Sequence, residues 1–60
     1  MYKVKITRTG ADDTESAQTY SMIDPRVINE GDFLVVMDKD SQQTIYMNKS
    51  VLVSIQLHPQ

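Results

Sequence analysis

Three apolar runs crowd the second half of the chain, Phe33 to Met37 (FLVVM), Thr44 to Met47 (TIYM) and Val51 to Leu57 (VLVSIQL), with only short polar stretches between them. They are rich in β-branched and aromatic residues, and each falls in the strand range of roughly 4–8 residues. Two polar connections, Asp38 to Ser41 and Asn48 to Ser50, are of hairpin length. The cadence predicts a β-meander and limits what the chain can fold into far more than it limits what the chain does.

The first half supplies the partners. Tyr2, Val4 and Ile6 alternate with Lys3, Lys5 and Thr7, the pattern of a half-buried strand. The stretch GADDTE from Gly10 to Glu15 has no large apolar group and reads as a solvated loop. A second strand is expected over Ser16 to Met22, with Tyr20 and Met22 inward. Asp24-Pro25 suits a helix start, since aspartate accepts first-turn N–H groups and proline has none to lose there. Gly31 offers a stop. One short helical turn is therefore expected over Pro25 to Glu30, with Val27 and Ile28 plugging one end of the fold.

The expected fold is all-β: residues 1–60 as a single small domain, a five-stranded antiparallel, strongly curved sheet or small barrel. A chain of 60 residues buries only about 60% of the surface it exposes when unfolded, so its stability is marginal and association is a natural supplement. No cysteine is present, which excludes disulfides, cysteine-ligated metals and thiol catalysis.

The order of elements, and Glu30-Gly31-Asp32-Phe33-Leu34-Val35-Val36 in particular, resembles the SH3-like and Sm-like small β-barrels. The resemblance covers roughly Glu30 to Leu57 and implies the architecture. It does not carry over the ligand sites. A peptide-binding SH3 groove is lined by aromatics, whereas this chain has no Trp, one Phe and three Tyr spread along its length. An Sm-like RNA site would place Arg-Gly or Lys-Gly before the last strand, and here that loop reads Asn48-Lys49-Ser50.

Candidate chemistry is sparse. Asp38 and Asp40 flank Lys39 and offer calcium a pair of carboxylates, but the glycine and bidentate glutamate of an EF-hand loop are missing. Asp12, Asp13 and Glu15 make an acidic loop. His58, the single histidine, lies beside Pro59 near the end of the chain with no nucleophile set against it. No enzymatic activity, cofactor or metal is expected.

A net charge of −2 is the wrong sign for a phosphate-backbone binder and weighs against nucleic acid as a partner. The alternative nucleic-acid reading rests on a patch of Lys3, Lys5, Arg8 and Lys49, with Lys39 as a further cation. A third reading, a small-molecule or metal-binding domain, rests on Asp38 and Asp40. With no apolar run near the ~18–20 residues of a membrane span and no signal-peptide core at the N-terminus, a complete, cytoplasmic protein is expected.

The leading expectation is a non-enzymatic protein-interaction module, a homodimer that also binds an unknown protein partner. If Phe33, Val35 and Met37 point inward with Val4, Ile6, Ile45, Met47, Val53 and Ile55, then period-2 alternation sends Leu34 and Val36 outward. Tyr46 and Leu52 complete the expected interface.

Overall fold

The computed structural model describes residues 1–60 and contains six strands and no helix: β1 (Tyr2–Thr9), β2 (Glu15–Met22), β3 (Arg26–Glu30), β4 (Phe33–Asp38), β5 (Gln43–Asn48) and β6 (Leu52–Pro59). They form two three-stranded antiparallel sheets, ordered β2-β1-β6 and β3-β4-β5. No helix is long and apolar enough to cross a membrane.

The all-β expectation stands, while three particulars change. There are six strands rather than five, in two sheets rather than one. The expected helical turn is strand β3. Its β-branched Val27 and Ile28 favour extended backbone, and Gly31 closes a hairpin instead of ending a helix. The loop between β3 and β4 is just Gly31-Asp32, and Gly31 has φ +61°. Positive φ at the first loop position alone matches a type II′ turn, which suits the twist of paired strands.

The third change is the destination of β6. It does not continue a meander beside β5 but crosses to the other sheet and pairs with β1. The crossing begins at the turn after β5, where the Thr9 N–H donates to the Val51 carbonyl at 2.8 Å. First and last strands thus lie side by side, with Ile6 opposite Ile55.

The core lies between the sheets. Val4 and Ile6 from β1, Met22 from β2, Val36 from β4 and Met47 from β5 are buried together, with Tyr2, Tyr20, Leu34, Ile45, Leu52 and Ile55 packed around them. Tyr20 and Met22 are inward as expected. Along β6 the pairing slips between Thr7 and Arg8, where Leu52 and Ser54 are opposite successive β1 residues and Val53 is the extra one. Such a bulge breaks simple alternation. Leu52 and Ile55 therefore both reach the core while Val53 is exposed, against its expected inward position.

Candidate functional site

Asp38 is the only buried charged residue, 1% exposed at the end of β4. Its Oδ2 accepts from the Ile23 N–H at 2.7 Å and from the Ser41 hydroxyl, and its Oδ1 from the N–H groups of Asp24 at 3.1 Å and Asp40 at 3.3 Å. Ser41 Oγ in turn accepts from Gln43 Nε2, which also donates to the Ser21 carbonyl, both at 2.8 Å. Ile23 and Asp24 are where the chain leaves one sheet for the other, and Asp40 and Ser41 belong to the β4–β5 turn. One carboxylate therefore fastens the crossover to the opposite sheet.

Burial by itself raises the Asp38 pKa. The bonds from Ser41, Ile23, Asp24 and Asp40 outweigh it, holding the carboxyl below its ordinary value of 3.8. Both oxygens of Asp38, one of the two carboxylates of the calcium reading, are engaged by protein donors. No group of three or more potential metal ligands occurs in the fold. In the acidic loop Asp12 is likewise held below its ordinary value, chiefly by the Thr14 hydroxyl at 2.5 Å and also by the Thr14 N–H. There the carboxylate shapes a turn in which Asp13 has φ 63°.

The two faces of β4 are assigned the other way round from the sequence expectation. Val36 is 0% exposed and belongs to the central core, and Leu34 is half-buried against it. Leu52 is also packed on the core. Of the four expected interface residues only Tyr46 is open, at 64% exposure. Phe33, Val35 and Met37 instead occupy the outer face of β3-β4-β5, where Val35 lies opposite both Ile28 and Tyr46. Both faces of β4 carry apolar residues, and its own pattern does not choose the observed one. The buried Asp38 does, because it shares parity with Leu34 and Val36 and finds two of its four donors, the Ile23 and Asp24 N–H groups, at the crossover on that side.

An apolar outer face therefore exists, built from the complementary set of residues. Val35 is 3% exposed although it lies outside the main core, whereas Phe33, Ile28 and Tyr46 around it are exposed. Arg26 and Glu30 bound this face on β3, opposite Met37 and Phe33. A half-open depression of about 670 Å³ runs along the start of β3, lined by Asp24, Arg26, Val27, Ile28, Met37, Lys39 and Asp40. The depression lies on the outside of the sheet rather than inside the core.

The basic patch does not assemble as one surface. Lys3 and Lys5 share the outer, polar face of β2-β1-β6 with Thr19, Ser21, Gln56 and His58. Arg8 has the opposite parity, alongside Val4 and Ile6. Lys49 belongs to the turn after β5, where its ammonium donates to Asn29 Oδ1 and its backbone N–H to the Asp32 carbonyl at 2.9 Å. No protein-family model, curated protein or solved structure matches the chain.

Proposed function

We propose that this protein is a small non-enzymatic interaction module whose first partner is a second copy of itself, docked through the β3-β4-β5 sheet. The observation that carries the reading is the outer face of that sheet, where Ile28, Phe33 and Tyr46 are exposed around Val35. Fully burying an aliphatic side chain contributes roughly 1.5–3 kcal/mol. That is large beside the few kcal/mol available to a domain with seven buried residues. The short Ile23 to Pro25 link between β2 and β3 supports reading them as one bent strand, which would restore an SH3-like count of five.

Sedimentation velocity across the micromolar range tests self-association. A dimer is expected, and Ile28→Asp is expected to raise its dissociation constant at least about tenfold while the circular dichroism remains that of a β protein. A monomer at every concentration would overturn the reading.

The nucleic-acid alternative has one favourable observation, the shared face of Lys3 and Lys5. Two lysines neutralise few phosphates, and affinity for a polyanion grows with the number neutralised. Binding to mixed oligonucleotides at physiological salt is expected to be no tighter than the nonspecific range of roughly 10⁻⁴–10⁻⁶ M. Fluorescence anisotropy checks this, and nanomolar, salt-sensitive binding lost on Lys3→Glu and Lys5→Glu would favour the alternative.

A further inference from the structure

Each three-stranded sheet has two edges, formed by β2, β6, β3 and β5. Unpaired edge backbone is a template for another strand and is normally guarded. β3 differs from the other three edges. All five of its residues, Arg26-Val27-Ile28-Asn29-Glu30, are exposed, and it is the only edge strand that carries charges of both signs. The charges sit symmetrically, Arg26 two residues before Ile28 and Glu30 two residues after it.

The hairpin determines which backbone groups of β3 are free. Glu30 and Phe33 flank the two-residue turn and form the hydrogen-bonded pair nearest it. Alternation makes Ile28 with Val35 and Arg26 with Met37 the next such pairs. The N–H and C=O groups of Val27 and Asn29 consequently point away from β4, toward the free edge.

We propose that β3 pairs antiparallel with β3 of a second copy about a two-fold axis at Ile28, joining the two β3-β4-β5 sheets into one continuous six-stranded sheet. This rests on the self-association reading but places the contact at the edge of the sheet, where Ile28 of the outer face meets its counterpart while Phe33 and Tyr46, on β4 and β5, stay uncovered. With Ile28 opposite its counterpart, Val27 of each chain faces Asn29 of the other, and those four residues exchange the ladder bonds that the edge leaves open. The same register sets Arg26 of each chain opposite Glu30 of the other. A two-fold contact must be self-complementary, and this five-residue strand is so in charge and in hydrogen bonding. In the single chain Arg26 meets Asp24 at 3.3 Å, with both side chains largely exposed. Such a surface pair contributes little, so the guanidinium is free to turn to the partner. The depression along Arg26, Val27 and Ile28 leaves the approach to this half of the edge open.

The test uses the full chain in sedimentation equilibrium, with Arg26→Glu and Glu30→Arg prepared separately. Each substitution alone sets like charges opposite one another twice across the axis and is expected to weaken its own dimer roughly tenfold. An equimolar mixture of the two variants is expected to recover association as a heterodimer, because every facing pair is then of opposite charge. Both positions are exposed, so folding is retained. Val27→Pro provides an independent arm by removing an outward N–H that β4 does not use; loss of dimer with β-type circular dichroism is expected. If the wild type is monomeric, the self-association reading and this geometry both fall. If the wild type dimerises but the mixture associates no better than its components, self-association stands and the edge pairing is overturned.

Discussion

Asp38→Asn lowers the melting temperature by roughly 10 °C or more, the scale on which breaking a buried polar network registers in a domain of this size. The size of the side chain hardly changes, so the effect is one of hydrogen bonding. Each carboxylate oxygen accepts two bonds, Oδ1 from Asp24 and Asp40, Oδ2 from Ile23 and Ser41. An amide keeps one acceptor and turns an NH₂ toward two donors, which leaves buried groups unsatisfied. Ser41→Ala removes a single donor and is expected to have a smaller effect. Thermal melts followed by circular dichroism give the ranking, and an Asp38→Asn melt that matches the wild type would refute it.

The same carboxylate gives stability a defined pH dependence. Its folded pKa lies below the ordinary 3.8, so the folded state holds the proton less tightly than the unfolded chain does. The contribution is fully present well above pH 3.8, begins to fade as the pH approaches that value, and is lost as the pH falls through the lower folded-state pKa. Stability is expected to drop on acidification in this window, and to drop less in Asp38→Asn.

Val36→Asp unfolds the protein, whereas Tyr46→Asp leaves the stability of the single chain nearly unchanged. Val36 is fully buried among Val4, Ile6, Met22 and Met47. An unpaired carboxylate there, or the strain of excluding it, exceeds the roughly 3–5 kcal/mol that a core of this size supplies. Tyr46 is 64% exposed on the opposite face, where a substitution stays within about 0.5 kcal/mol. Urea titrations of the two variants under monomeric conditions measure the contrast. A folded Val36→Asp would restore the outward assignment of Val36.

The sequence by itself determined that the chain is all-β and located five of the six strands, because alternation and β-branched runs are local signals that extended backbone reads directly. It also placed a break in the chain at Gly31, but as the stop of a helical turn, because Asp24-Pro25 before it made the intervening residues resemble a helix start. Local chemistry permits either conformation there. Strand β3 prevails because its residues pair with Phe33 to Met37 across the turn, an interaction that a capping signal does not register.

Only the tertiary structure decided which face of β4 is the core, where β6 pairs and what Asp38 does. In FLVVMD one parity is Phe33, Val35 and Met37 and the other is Leu34, Val36 and Asp38, so local composition favours the wrong face and the choice depends on what the opposite sheet offers. A bulge at Val53 puts Leu52 and Ile55 on the same side, and no period-2 reading anticipates the extra residue. Asp38 looked like an ordinary loop carboxylate because three of its four donors are backbone N–H groups, which leave no mark on side-chain composition. Two of its partners, Ile23 and Asp24, lie 15 and 14 residues away along the chain. Such a contact exists only once the two sheets are stacked, which is why the residue that fastens them became visible only in the fold.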